Sequence, residues 1–153
     1  MKILMVCLGN ICRSPLAEGI MKDKISQKGL DWQVESRGTG SWHAGNVPDI
    51  RSVTVAKAHN LDITDQRAQQ LEKSDLQGFD LIYAMDTSNY RDILAMAENE
   101  EQTAKVKMIL NESEPGINKS VPDPFYGDDG FEQVYQMLDE ACEIALQRLM
   151  KET

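Results

Sequence analysis

A cysteine and an arginine close the two ends of one short stretch, Cys7-Leu8-Gly9-Asn10-Ile11-Cys12-Arg13, and their side chains suit a single kind of chemistry. A thiolate is a strong nucleophile, and a planar guanidinium grips two oxygens of a phosphate-like anion at once. The stretch follows an apolar run, Ile3-Leu4-Met5-Val6, that reads as a strand buried on both faces. It runs through Ser14 into Pro15, a favoured first residue of a helix. A turn from strand to helix leaves backbone N–H groups unpaired around one small volume, and donors gathered at a helix N-terminus favour negative charge. Two charges can use them. One is a dianion held by Leu8, Gly9, Asn10, Ile11, Cys12, Arg13 and Ser14; the other is the sulfur of Cys7 as thiolate. The turn lacks the lysine of a nucleotide P-loop and the three spaced glycines of a dinucleotide fingerprint. Taken singly, Cys7 reads as a core thiol and Arg13 as a solvated residue at a helix start. At opposite ends of one glycine-containing turn they read together as a site.

The elements that must position this turn alternate short apolar runs with helical patterns, without repeats or a Gly/Ser linker, which predicts a parallel sheet with helices on both faces. The first helix is expected from Pro15 to Lys28, with Leu16, Ala17, Ile20, Met21 and Ile25 inward and Gly29 as its stop. A second strand spans Gln33 to Ser36. After a loop containing Gly38, Gly40, Trp42 and Gly45, Pro48 opens a second helix to His59, with Asn60 ending it. Residues 61–78 suggest one irregular turn between Glu72 and Leu76. Phe79 to Met85 reads as a buried strand, Asp86 as the N-cap of a helix to Glu98, and Val106 to Leu110 as the fourth strand. Asp129-Gly130-Phe131-Glu132 fits a capping box for the last helix, whose inner face carries Phe131, Val134, Tyr135, Leu138, Cys142, Ala145 and Leu149. Right-handed crossovers order four such strands 2-1-3-4, an α/β flavodoxin-like three-layer sandwich. Its topological switch point lies beside strand one, at the end where Cys7 stands.

A chain of 153 residues is expected to form a single domain, 1–153. A formal charge of -9 argues against nucleic acid, whose phosphates demand a basic face. No apolar run approaches membrane-spanning length, and Met1-Lys2 leads straight into the first strand without a signal-peptide layout, so no membrane partner is expected. Three cysteines suit a reducing cytoplasm better than a disulfide framework. Cys142 falls on an apolar helix stripe and reads as core. A zinc site would need Cys7 and Cys12 joined by two of His43, His59 and Cys142, which show no ligand spacing, so no metal is expected.

Val6-Cys7-Leu8-Gly9-Asn10-Ile11-Cys12-Arg13-Ser14-Pro15-Leu16-Ala17-Glu18, with Asp123-Pro124-Phe125-Tyr126-Gly127 near the other end, resembles the low-molecular-weight protein tyrosine phosphatases. Thr39-Gly40-Ser41-Trp42-His43 and Ala84-Met85-Asp86 extend the likeness over nearly the whole chain. The resemblance implies metal-independent hydrolysis of phosphotyrosine in proteins, with no cofactor, a phosphotyrosine-containing protein and phosphate as partners, and a monomer or weak homodimer. Cys7 is the expected nucleophile, since a two-step route divides the high barrier of phosphate-ester hydrolysis. Ser14 either donates its hydroxyl to the sulfur or caps the helix ahead of Pro15. Asp123 lies in the long stretch from Asn111 to Gly130 and is held extended between Pro122 and Pro124. By the likeness it protonates the leaving oxygen and then activates water.

The likeness also makes Trp42, Phe125 and Tyr126 aromatic walls around a substrate ring, with Ile11 beside them, and makes Asn10, Ser36 and His59 braces of the turn. From residues alone His59 reads as a surface histidine near a helix end, Phe125 as a loop-packing aromatic, and Asp86 as a cap or a brace, the cap favoured. Cys12 either forms a disulfide with an oxidised Cys7 or is a small core residue. Rival chemistries exist on the same fold. A thioredoxin-coupled arsenate reductase needs two further cysteines beyond strand three, and residues 79–99 contain none. A protein-arginine phosphatase tends to carry a smaller polar residue where Ile11 stands. A non-catalytic phosphotyrosine-binding module should have lost Cys7, Arg13 or Asp123.

Overall fold

The computed structural model describes residues 1–124 and 130–153. β1 (Lys2–Cys7), β2 (Gln33–Gly38), β3 (Leu81–Ala84) and β4 (Val106–Met108) form one parallel sheet in the order β2-β1-β3-β4, as expected from the crossovers. β1 pairs on both sides, Met5 opposite Ser36 on one flank and Tyr83 on the other. Its residues alternate between the two layers. Ile3, Met5 and Cys7 join the core under α1 (Arg13–Gln27) and α6 (Gly130–Glu152), whereas Leu4 and Val6 join the core under α3 (Lys73–Gly78) and α4 (Thr87–Met96). A central strand buried on both faces brings its C-terminal residue, Cys7, to the sheet's end in a fixed place.

Local chemistry explains where the elements depart from expectation. α1 begins at Arg13, two residues before Pro15, because a proline in the first turn has no helical acceptor to forfeit; Ser14 is therefore inside the helix and not its cap. It ends as expected at Gly29, which takes φ +69° while the N–H of Leu30 returns to the carbonyl of Ile25. β2 runs on to Gly38. α2 (Ile50–Ala58) starts at Ile50 and not at Pro48, since the Asp49 side chain accepts from the N–H of Arg51 and caps it. Asn60 stops it with φ +65°.

In place of an irregular turn, α3 is a regular short helix with reciprocal Glu72 and Asp75 caps. Phe79 ends that helix, so β3 is shorter than the apolar run that suggested it. α4 ends at Met96, where Ala97 turns extended, and a separate helix α5 (Glu100–Ala104) follows under an Asn99 cap. β4 gives way after Met108 to a tight turn at Ile109–Asn111. Asp129, the start of the expected capping box, lies outside the described residues. Cys142 is fully buried in the core, as expected.

Candidate active site

The turn between β1 and α1 is closed by Asn10, whose backbone adopts φ +57° and directs its N–H at the Cys7 sulfur, 3.3 Å away. Left-handed backbone suits asparagine better than most residues. Its side chain is almost fully buried and uses every polar atom. Oδ1 accepts from the N–H of Gln69 at 2.9 Å, which fixes the amide's orientation, and Nδ2 donates to Ser14 Oγ at 2.8 Å and to Ser36 Oγ at 2.9 Å. Because Ser14 Oγ already accepts from Asn10, its own proton is available to the sulfur, 3.0 Å away. Ser14 thus serves the sulfur and not the helix end.

Ser36 in turn donates to Glu18 Oε1 at 2.7 Å, and Glu18, 6% exposed, pairs with Lys22 at 2.6 Å. Glu18 escaped the sequence reading. A carboxylate in a helix ordinarily faces water, and its partner Ser36 comes from another strand. Gly38 lets that strand approach, for a Cβ there would lie 2.7 Å from the carbonyl oxygen of Leu8.

Arg13 reaches back from the first turn of α1. Its Nη1 donates to the carbonyl of Val121 at 2.9 Å and pairs with Asp86 Oδ2 at 3.0 Å. Nε and Nη2 have no partner among the described residues. The second Asp86 oxygen accepts from the N–H of Asn89 at 2.7 Å and caps α4. Both readings of Asp86 therefore hold, one per oxygen.

Cys7, Leu8, Gly9, Cys12 and Arg13 line a cleft of about 190 Å³ together with Ile11, Trp42, His43, Asp123 and Pro124. Trp42 is 73% exposed and folds its ring over Gly40, which has no Cβ to obstruct it. His43 was not singled out for the cleft; it packs over Gly9, a contact made by loop geometry that no sequence spacing signals. Asp123 stands exposed at the rim, before the buried Pro124. Phe125 and Tyr126, the other expected walls, lie outside the described residues. Cys12 is buried, and burial, with Asp49 nearby, pushes its thiol up to about 12.

His59 corrects the expectation that it braces the turn. It caps the C-terminus of α2, stacks on Tyr135 at 3.9 Å and bonds Glu132 at 2.9 Å, because its place at the helix end faces α6. Among the described residues no three His, Cys, Asp or Glu side chains converge as they would around a metal ion. A larger cleft of about 530 Å³ lies against β4, lined by Lys107, Glu112 and Arg148 among others, and contains no cysteine.

A cysteine at the end of the central strand, its sulfur met by the Asn10 N–H and the Ser14 hydroxyl, beside an arginine with two nitrogens unpaired among the described residues, defines an anion-binding site with a nucleophile in it. Residues 2–153 match the family described as low molecular weight phosphotyrosine protein phosphatase, and the chain belongs to that family. It is 42% identical to the low molecular weight phosphotyrosine protein phosphatase of Schizosaccharomyces pombe, over 90% of each chain. The fold is similar to a crystal structure of an Entamoeba histolytica protein tyrosine phosphatase with Hepes in its active site, at TM-score 0.92 and 37% identity over 99% of this chain and 98% of that one. It is also similar to a Drosophila arginine phosphatase, at TM-score 0.89 and 34% identity over 97% and 98%.

Proposed function

We propose that this chain hydrolyses the phosphate ester of phosphotyrosine in proteins through a cysteinyl-phosphate intermediate, using side chains and backbone donors and no metal. The observation that carries this reading is the convergence on one cleft of the Cys7 sulfur, bonded by Ser14 Oγ and the Asn10 N–H, and the Nε and Nη2 of Arg13, which have no partner among the described residues. In the first step the thiolate attacks phosphorus as the bond to the tyrosine oxygen breaks. Asp123 gives that oxygen its proton. Arg13 and the N–H groups of residues 8–14 hold the three equatorial oxygens, whose charge spreads in the transition state. In the second step Asp123, now a carboxylate, takes a proton from water, which attacks phosphorus. The sulfur–phosphorus bond breaks and phosphate leaves.

Asp86 and the Val121 carbonyl position Arg13 from behind, so its free edge meets the substrate without searching. Trp42 and Ile11 wall the ring, with Phe125 and Tyr126 as further candidates. The Entamoeba relative holds Hepes, a sulfonate buffer, in its active site, which supports an anion site in this chain. The likeness to an arginine phosphatase favours a second reading, phosphoarginine as substrate, which the aliphatic Ile11 at the cleft wall opposes. Three cysteines with no disulfide between them suit a reducing cytoplasm.

The test is Cys7→Ser. Turnover of p-nitrophenyl phosphate in a chelator-treated buffer should disappear while phosphate still binds by calorimetry, since the donors and Arg13 survive. Wild-type turnover in that variant would overturn the mechanism, and faster turnover of phosphoarginine than of phosphotyrosine by the wild-type protein would select the second reading.

A further inference from the structure

Seven large apolar side chains stand exposed among the described residues, and four of them, Leu8, Trp42, Val47 and Ile50, belong to the segments that bound the cleft. Single exposed apolar residues are ordinary; a concentration at one rim is not. Leu8 and Trp42 line the cleft itself. Val47 and Ile50 stand just beyond, 56% and 72% exposed. Ile50 follows Asp49, whose N–H donates to the carbonyl of Ile11 at 2.8 Å, and Ile11 is part of the cleft wall. Val47 follows Asn46, whose N–H donates at 2.8 Å to the carbonyl of His43, on the other wall.

The loop cannot easily fold these two side chains inward. The N–H of Gly45 bonds the carbonyl of Ala68, the N–H of Ala68 bonds the carbonyl of Asn46, Pro48 is buried and Asp49 caps α2. Two aliphatic groups are therefore held out in water on a fixed platform, where a partner would lose little freedom of the loop on docking.

We infer that Val47 and Ile50 form a docking collar for aliphatic residues two or three positions from the phosphotyrosine of the protein substrate, an inference that rests on the phosphatase reading. The collar is continuous with the cleft through Ile11 and His43. An extended peptide advances roughly 3.3 Å per residue, so neighbours at that spacing reach past the cleft wall onto the collar. Charge selects against the opposite kind of peptide. Asp49, next to Ile50, is neutralised by Arg51 at 3.2 Å, and the chain carries -9 overall, so an acidic flank gains no apolar contact and meets a net-negative surface.

Three phosphopeptides sharing a central phosphotyrosine and flanked by Leu/Ile/Val, by Ser or by Asp/Glu test the collar. The quantity read is kcat/KM for each peptide divided by kcat/KM for p-nitrophenyl phosphate, which is too small to touch residues 47 and 50. For the wild-type protein the aliphatic peptide should exceed the serine peptide by roughly ten-fold, and the acidic peptide should fall lowest. The double variant Val47→Lys, Ile50→Lys should lose that preference, as should Val47→Ser, Ile50→Ser, with circular dichroism confirming that each is folded. Equal wild-type ratios, or a preference that survives in both variants, overturn the inference. A preference that survives while sedimentation shows a wild-type dimer lost in the variants assigns the face to a second copy of this chain, which also overturns it. Failure of the phosphatase reading looks different: the wild-type protein would not turn over p-nitrophenyl phosphate, and fluorescence anisotropy with the same three peptides would then test the collar by binding alone.

Discussion

Arg13 and Arg148 are both held by carboxylates beside clefts, yet one is open and the other closed. Arg148 gives Nε and Nη2 to the two oxygens of Glu112, at 2.9 and 2.6 Å, and Nη1 to Glu152. Tyr83 adds its hydroxyl to Glu112, so the group is saturated from within the fold. Among the described residues Arg13 spends a single nitrogen on Asp86 and Val121, and the rest of its fork belongs to Cys7's cleft. The larger cavity thus holds the finished arginine and the smaller one the unfinished arginine. Volume is a poor guide to chemistry here; unspent donors are the better one.

That contrast can be broken most sharply by exchanging each arginine for lysine. Arg13→Lys should lower kcat for p-nitrophenyl phosphate by about 10²-fold or more, because a single ammonium cannot reproduce a planar two-oxygen contact and the lost donor acts on transition-state charge. Arg148→Lys should leave kcat within about two-fold and instead lower the melting temperature, since it opens a half-buried carboxylate cluster. Similar kinetic losses in the two variants would erase the distinction.

Two carboxylates of the segment after β4 differ in place. Glu112 is engaged by Arg148 and Tyr83, and Asp123 stands at the rim of the cleft. Asp123→Ala should slow phosphoenzyme formation from phenyl phosphate about 10²-fold, and from p-nitrophenyl phosphate far less, because nitrophenolate leaves with little help. Rapid mixing isolates that step from dephosphorylation. Equal slowing of both esters would mean that the proton comes from another group.

A last contrast lies within the turn, where Cys7 and Cys12 are both buried but the Cys7 sulfur takes the Asn10 N–H while burial holds Cys12 as a thiol. Peroxide should oxidise Cys7 to a sulfenic acid, which Cys12 then converts to a disulfide with loss of water. Burial pushes Cys12 up to about 12, so at neutral pH it is overwhelmingly the thiol, and its thiolate fraction rises about ten-fold per pH unit. Disulfide formation, followed by mass spectrometry, should therefore be slow near pH 7 and faster near pH 9. A rate independent of pH, or higher acids of Cys7 beside an intact Cys12 thiol, would count against it.

What was legible in the sequence was local. Ile3 to Val6, the inner face of α1 and the pairing of Cys7 with Arg13 across a glycine-bearing turn each depend on spacing within one segment. The strand order followed because crossover handedness leaves few alternatives. What stayed hidden depends on contacts across the fold. Glu18 owes its buried place to Ser36, which comes from β2, and His43 reaches the cleft because its loop folds over Gly9. His59 was assigned to the wrong neighbour, since nothing in its surroundings in sequence reveals that α6 packs beside the end of α2. The early start of α1 was hidden by Pro15, which is tolerated throughout a first turn.

Asn10 carries a consequence for the sequences this fold can accept. The position requires left-handed backbone, two donors and one acceptor in a buried space of fixed shape. Glycine would relax the backbone and remove all three bonds. Aspartate tolerates the backbone but donates nothing, and glutamine donates correctly from a stem one carbon too long. Two demands that other positions face separately fall on this one residue, so its informational content approaches the maximum of a single letter out of twenty. A saturation library at position 10 selected for turnover is expected to converge on the residue already there.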